Sequence, residues 1–322
     1  MKALNCIHVI LITVFTTLNF ISCSNNENFL DQEELVTVKL NLIGEITSIT
    51  DEPLTKATSN DLLGIQVWRL TNNTNERECY AYGLFDNIEN LELKLKKSDS
   101  YQITATLIVD GKNKIKYSNE YKGYSSPFTH STSNNGIPTS ISEQFIYSYY
   151  GFNELDYSLV FLQEGTFSRP NIERFYGTTE SYTPSKDETI NINLYRVCFG
   201  VKYEVEGLTE GYLQINMEKA PIQNIEYPET KLSDIFSIIN FHIEDRWKND
   251  NYSEEINIKI HWIKKDGSSI PIADQNFTFV RNRRTIIKIK INQETPSEQN
   301  VNLSIDKEEK EITDGNEYNI TN

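Results

Sequence analysis

The sequence predicts an all-β protein built of two tandem antiparallel β-sandwich domains. Its composition favours strands, because Ile, Thr, Val and the rings of 18 Tyr and 15 Phe pack well on a pleated surface. Short segments of alternating apolar and polar residues recur along the chain with turn signals between them, as in sandwiches. No helical stretch is long enough to connect two parallel strands, and we therefore expect the strands to pair antiparallel.

The first 23 residues are typical of an export signal rather than of a folded element. Lys2 carries a positive charge near the N-terminus, a largely apolar run covers residues 7–20, and a small residue precedes Cys23. This pattern resembles a bacterial lipoprotein signal, in which residues 1–22 are removed and the thiol of Cys23 is acylated. A plain secretory signal is the alternative, because Phe20 stands where such signals usually carry leucine. A spanning helix is disfavoured, since the run is shorter than roughly 20 residues.

The remaining chain divides into a tether and two halves. Residues 23–34 are polar and acidic and are predicted to be a lipidated tether. We expect an N-terminal sandwich over residues 35–165 and a C-terminal sandwich over residues 166–322, because residues 165–170 have the composition of a linker. Acyl chains on Cys23 would hold the protein on a membrane without a spanning segment.

In the first half, the alternation begins with Val36, Val38, Leu40 and Leu42 on one face. Gly64 suggests a bulge, and Asp110-Gly111 predicts a hairpin turn. Residues 46–60 and 125–142 are predicted to be surface loops. The predicted strands are residues 36–44, 62–70, 79–85, 91–95, 101–109, 114–117, 143–149 and 156–162.

In the second half, one long pattern changes face between Leu194 and Val197, which predicts a bend there. Asp266-Gly267 predicts a second hairpin turn. Residues 232–245 mix both periodicities, and a strand and a short helix stay open as alternatives. The predicted strands are residues 189–205, 212–217, 256–263, 270–272, 277–280, 285–291, 301–305 and 317–320.

The charge and the motifs exclude several classes of function. The net charge of −15 argues against a nucleic-acid partner, whose phosphates demand clustered Lys and Arg. No metal-ligand spacing, phosphate loop or Gly-x-Ser-x-Gly motif occurs, so we expect no metal, no cofactor and no enzyme. A glycosidase stays an alternative, because its two carboxylates need no local motif. Cys79 and Cys198 are expected to be separate buried thiols.

The three tryptophans are candidates for a sugar-binding platform or for packing in the cores. Trp68 and Trp262 lie within strand patterns and are expected in the core. Trp247 stands in a charged stretch and is predicted to be exposed, as a candidate ligand-contact aromatic residue. The basic run at residues 281–284 is expected to be a solvated strand end.

The order of several motifs resembles the fimbrillin-like surface lipoproteins of Bacteroidales, that is, the type V pilus subunits and their anchor and tip relatives. The resemblance spans nearly all of the chain after the signal. Besides the signal and the acidic tether, the segments that carry it are Pro53–Ala57, Asp61–Trp68, Tyr82–Phe85, Tyr101–Leu107, Asp110-Gly111, Phe175–Gly177, Arg196–Lys202 and Arg281–Thr285.

The resemblance implies two transthyretin-like sandwiches and a structural or adhesive role in a fimbria, as stalk, tip or anchor. It implies proteolytic processing between Lys56 and Ala57, with Lys where the family usually has Arg. The cut would release residues 36–44, and a strand from another subunit would fill the groove. The implied partners are other fimbrial subunits, outer-membrane lipid through Cys23, and a host or bacterial surface ligand. A glycan-binding lipoprotein of a polysaccharide-uptake system is the alternative.

Overall fold

The computed structural model describes residues 34–44, 60–70, 76–87, 91–132, 136–153 and 155–291, and the backbone of two further strands at 302–306 and 317–321. Cys23, Lys56 and Ala57 lie outside the described residues, so their predicted roles stay predictions. Within the described part of the chain, no helix is long and apolar enough to cross a membrane.

The all-β prediction is confirmed, since helix is confined to α1 (Gly111–Lys114) and a 3-10 turn at Ile243–Lys248 among the described residues. The strands are β1 (Leu35–Gly44), β2 (Leu62–Leu70), β3 (Arg77–Phe85), β4 (Glu92–Lys96), β5 (Ser100–Ile108), β6 (Tyr117–Ser118), β7 (Gly123–Ser131), β8 (Gly136–Thr139), β9 (Ile146–Tyr147), β10 (Val160–Leu162), β11 (Gly165–Phe167), β12 (Arg174–Thr178), β13 (Glu188–Arg196), β14 (Cys198–Glu206), β15 (Tyr212–Met217), β16 (Gln223–Glu226), β17 (Lys231–Ser237), β18 (Ser253–Ile263), β19 (Ser269–Val280), β20 (Arg284–Lys290), β21 (Asn302–Asp306) and β22 (Glu317–Thr321).

The first core lies inside one folded sheet of eight strands, ordered β4-β1-β13-β12-β5-β2-β3-β9. Val38, Leu93 and Leu194 from the β4-β1-β13 half pack in one cluster with Ile65 and Ile103 from the other half. The alternating pattern of β1 and β4 produces this arrangement, because side chains two residues apart share a face. The two halves of the sheet therefore form the two layers of a sandwich.

A second apolar cluster covers the outer face of β2, β3 and β5, where Leu62 and Ile108 meet Phe128 and Leu162. These strands are consequently buried on both faces. Gly64 lies where the layers approach closely, since a Cβ there would stand 2.5 Å from Leu155 Cδ1. The bulge predicted at Gly64 is wrong, because the register of β2 against β3 shifts between Val67 and Trp68.

The third core lies between a five-stranded sheet, β17-β14-β20-β22-β21, and a four-stranded sheet, β16-β15-β18-β19. Val201 and Ile287 from the first of these pack in one cluster with Ile215 and Ile258 from the second. The predicted hairpin at Asp266-Gly267 is confirmed, since it joins β18 to β19 and Gly267 has a φ of 83°. Only glycine adopts that backbone conformation readily.

The sheets are mixed rather than purely antiparallel, which corrects part of the sequence prediction. Among the described strands, three pairs run parallel: β1 with β13, β14 with β20, and β20 with β22. The prediction assumed that a parallel pair needs a crossover helix. Here the long connection between β1 and β13 contains β2 to β12, of which β2, β3, β5, β9 and β12 form the opposite half of the same sheet.

The consecutive strands β13 and β14 connect the first core to the third. β13 ends at Arg196 and β14 begins at Cys198, so the predicted bend between Leu194 and Val197 is confirmed. β12 and β13 were expected in the second half, yet they pair within the first sheet. Residues from 35 onward form one compact unit. The division into two domains after residue 165 stays a prediction.

The hairpin predicted at Asp110-Gly111 is wrong. Asp110 has a left-handed φ of 54°, α1 follows it, and β6 pairs with β7 rather than with β5. β5 already has β2 and β12 along its two edges, so no edge is free for a return strand. Glycine suits position 111 because a Cβ would lie 3.0 Å from the Leu62 side chain.

The loop predicted over residues 125–142 is also wrong in part, because it contains most of β7 and all of β8. Its polar composition suggested a loop, yet Phe128 and the neighbouring Ser126 and Thr129 are buried. Residues 232–245, which stayed open between strand and helix, form most of β17 and the start of the 3-10 turn.

Candidate functional site

β1 is the strand that the sequence analysis singled out, and its side chains alternate as predicted. Val36, Val38, Leu40 and Leu42 are buried in the first core. The residues between them point away from this core and are exposed or half-buried. The burial of β1 is therefore carried by one apolar face of four side chains.

Both neighbours of β1 are distant in sequence. β13 pairs with it in parallel from Val38↔Glu188 to Gly44↔Leu194, and β4 pairs with it antiparallel from Leu35↔Lys96 to Lys39↔Glu92. Neither pairing is a hairpin, and the chain leaves β1 for β2 through residues 45–61, which contain Lys56.

Polar contacts also align β1 with these neighbours. The Thr37 amide donates to Asp187 Oδ1 at 2.7 Å, and Asn41 Nδ2 donates to Asn191 Oδ1 at 2.9 Å. On the other side, Lys94 Nζ donates to Thr37 Oγ1 at 2.5 Å. A one-residue slip of β1 would break these contacts and turn its apolar face outward.

Removal of β1 would open a groove between β4 and β13. Its floor would be apolar, because Leu93 and Leu95 of β4 and Ile192 and Leu194 of β13 belong to the same cluster as the β1 side chains. Its walls would carry unpaired backbone N–H and C=O groups, which bind an added strand. The ten residues of β1 span about 33 Å, so the groove left by its removal would have the length of one such strand.

The other edge of β4 is capped by tyrosine hydroxyls. The Lys94 amide donates to Tyr147 Oη at 2.8 Å, and Tyr80 Oη donates to the Lys94 carbonyl at 2.9 Å. The Lys96 amide donates to Tyr101 Oη at 3.0 Å. Burial raises the pKa of Tyr80, Tyr101 and Tyr147, so each phenol keeps its proton. The Tyr147 bond connects the two ends of the eight-stranded sheet, because β4 and β9 are its end strands.

Two cavities flank Tyr147 along this capped edge. One has a volume of about 220 Å³ and is lined by Tyr80, Tyr147 and Tyr149 together with charged side chains. The other has a volume of about 350 Å³ and is lined by Phe85, Phe145 and Tyr147 with acidic, basic and amide groups. The sequence analysis missed this region because its tyrosines lie in separate segments with no common spacing.

The prediction that Trp247 is exposed is wrong, because only 7% of this residue is accessible. Its ring packs edge-on against Tyr176 and Tyr195, with ring centroids 5.6 and 5.2 Å away. Its charged neighbours Glu244 and Asp245 have positive φ and point to solvent, so the turn directs the indole inward. Trp247 is a packing residue and not a ligand platform.

The basic run at residues 281–284 is also not a solvated end. Arg281 is buried, and its guanidinium donates to the carbonyl oxygens of Arg196 at 2.9 Å and Asn249 at 3.0 Å. It also pairs with Asp250. A buried arginine needs such partners, because an unpaired charge in the interior is costly.

The cysteine prediction is confirmed, since Cys79 and Cys198 are free and buried. Burial raises the pKa of both thiols to about 12, which makes them unreactive at neutral pH. Within the described ranges, no group of three or more His, Cys, Asp or Glu side chains has metal-binding geometry.

No protein-family model matches this chain, and no curated protein matches it either. Solved structures do. The chain is similar to a proposed polysaccharide-binding protein of Bacteroides thetaiotaomicron, at 9% identity and a TM-score of 0.37, over 75% of this chain and 80% of that one. It is similar to a proposed adhesin of Bacteroides ovatus, at 11% identity and a TM-score of 0.37, over 81% and 94%.

A third similar structure is the fimbrial anchor protein Mfa2 of Porphyromonas gingivalis, at 12% identity and a TM-score of 0.36, over 75% of this chain and 82% of that one.

Proposed function

We propose that this protein is a structural, non-enzymatic subunit of a cell-surface fimbria that joins other subunits by exchange of strand β1. The observation that carries the proposal is the position of β1. It contributes one whole apolar face to the first core, pairs with two strands distant in sequence, and is connected to β2 through residues 45–61. A cut after Lys56 would separate β1 from β2 in the chain.

Loss of β1 without a replacement strand would cost the protein much of its stability. Burial of one aliphatic side chain stabilises a protein by about 1.5–3 kcal/mol, so the four buried side chains of β1 contribute about 6–12 kcal/mol. This is comparable to the whole stability of a domain, about 5–15 kcal/mol. A chain without β1 therefore needs a replacement strand with the same alternation.

The signal and tether fit the same role. Cys23, acylated, would hold the uncut protein on the outer membrane, and a cut between Lys56 and Ala57 would release the anchor together with β1. The partners would be other subunits that donate a strand, and a surface ligand for adhesion. An uncut protein would act as an anchor or a tip.

Limited digestion with trypsin tests the first step. We expect brief digestion of the folded chain to cleave first between Lys56 and Ala57, so that a new N-terminus appears at Ala57, and we expect Lys56→Gln to abolish this product. Lys56→Arg is the matched control and should be cut normally. If trypsin never cuts the folded chain between residues 45 and 59, the proposal of strand exchange is wrong.

Strand replacement tests the second step. The cut protein should bind a fluorescent peptide of residues 35–44 and become more heat-stable, whereas the uncut protein should not bind it. A peptide with Val38→Asp and Leu40→Asp is the control, because it keeps the backbone but cannot fill the core. Failure of the cut chain both to bind the peptide and to form multimers would contradict the proposal.

A further inference from the structure

A short run of residues after β8 exposes an unusual amount of apolar surface. Within residues 146–150, Ile146 is 40% exposed, Tyr147 48%, Tyr149 78% and Tyr150 54%. Exposed clusters of large apolar residues mark binding sites more often than single exposed rings do. We call this run the aromatic strip.

The aromatic strip lies along the capped edge of β4. Tyr147 stands between the two cavities and reaches the Lys94 amide with its hydroxyl. Together the cavities and the strip form a groove beside β4, which we call the β4 groove. One end of the groove is lined by Arg69 and Lys96, and the other by Leu91 and Glu143.

A further peptide strand is a poor fit for the β4 groove. Strand addition needs free backbone groups, yet the Lys94 amide, the Lys94 carbonyl and the Lys96 amide already bond to tyrosine hydroxyls. An added strand would have to break these three bonds. The capped edge thus presents side chains, not backbone, to a ligand.

The lining of the β4 groove also disfavours an anion and a purely apolar ligand. Its charged groups have both signs, because Arg69, Lys94 and Lys96 are opposed by Glu92 and Glu143. In addition, Arg69 is already paired with Glu78 and Asp99. Aromatic walls with scattered polar groups of both signs suit a ligand that has apolar faces and many hydroxyls.

We propose that the β4 groove binds a neutral oligosaccharide, with one sugar ring in each cavity and Tyr147 between them. Tyr149 would stack on the C–H face of a sugar ring. Glu143 and Gln144 in the larger cavity, and Lys96 in the smaller one, would bond to sugar hydroxyls. This site does not depend on strand exchange, because it is complete in the uncut chain.

Calorimetric titration of the full, uncut chain with maltohexaose, cellohexaose, mannohexaose and xylohexaose tests the site. We expect at least one of these probes to bind, and Tyr149→Ala to weaken its binding at least tenfold. Gln144→Ala should weaken it as well, since this residue lines the other cavity. Tyr121→Ala is the matched control, because Tyr121 is 52% exposed and lines neither cavity.

The variants change exposed side chains, so their melting temperatures should equal that of the parent chain. Absence of binding to all four probes would overturn the proposal. Binding that is unchanged in both Tyr149→Ala and Gln144→Ala would place the ligand elsewhere and overturn it too. Since the chain is uncut throughout, neither result bears on the exchange of β1.

Discussion

The hydroxyl of Tyr147 accepts a 2.8 Å hydrogen bond from the backbone amide of Lys94 and so joins the two ends of an eight-stranded sheet. Within the part of the chain that the structure describes, β4 pairs with β1 on one side and with no strand on the other. On its other side, tyrosine hydroxyls from β3, β5 and β9 take the place of a strand. Open sheet edges invite unwanted pairing, and this one is closed by side chains.

Removal of the Tyr147 hydroxyl should weaken the edge without disturbing the core. We expect Tyr147→Phe to lower the free energy of unfolding by about 1 kcal/mol, the usual contribution of one hydrogen bond. The Lys94 amide should also exchange its hydrogen faster. Urea unfolding and amide exchange measure the two effects. Tyr121→Phe, in the turn before β7, is the control and should change neither; unchanged exchange at Lys94 in Tyr147→Phe would contradict the prediction.

Alkaline pH should destabilise this edge. Burial raises the pKa of Tyr80 above its ordinary value of 10.0, and burial raises the pKa of Tyr147 likewise. Above pH 10 the folded state therefore retains protons that the unfolded state loses, so this contribution to stability is full below about pH 10 and is lost as the pH rises through the folded pKa values.

Unfolding midpoints in urea at a series of pH values check this. We expect the midpoint of the parent chain to fall above about pH 10, and we expect it to fall less steeply in Tyr80→Phe, which has no phenol to ionise. The same two proteins compared at neutral pH give the baseline loss from the missing hydrogen bond. Identical pH slopes in the two proteins would count against this explanation.

The two faces of β1 should respond differently to truncation. Leu40 is buried in the first core, and we expect Leu40→Ala to cost about 2–4 kcal/mol of stability. Lys39 is its neighbour on the exposed face, where it pairs with Glu92 at 3.3 Å. Lys39→Ala should cost less than about 1 kcal/mol, since exposed ion pairs contribute little. Chemical denaturation separates the two, and equal effects would show that β1 is not held by its apolar face.

Replacement of Trp247 should impair folding rather than ligand binding. The indole packs against Tyr176 and Tyr195, so we expect Trp247→Ala to lower the free energy of unfolding by about 3–5 kcal/mol. Tyr149→Ala removes an exposed ring and should stay within about 0.5 kcal/mol of the parent chain. A Trp247→Ala variant with unchanged stability would restore this residue as a candidate ligand contact.

Local pattern predicted much of the fold correctly where one face of a strand is buried. The period-two alternation of β1 and the turn signal at Asp266-Gly267 depend on neighbours in sequence, and both predictions are confirmed. Strands that are buried on both faces lack this alternation and are harder to predict from the sequence. β7 has no clean alternation, because Phe128 packs in one cluster while Ser126 and Thr129 are buried beside it.

The sequence by itself determined the strand-rich class, the apolar face of β1 and the separation of the two buried cysteines. These follow from composition and from contacts within a few residues. Only the tertiary structure decided that β1 pairs in parallel with β13, that Trp247 is enclosed by Tyr176 and Tyr195, and that three tyrosines cap β4. These relationships join residues far apart in the chain, and no local spacing encodes which distant partner a strand edge or an aromatic ring will meet.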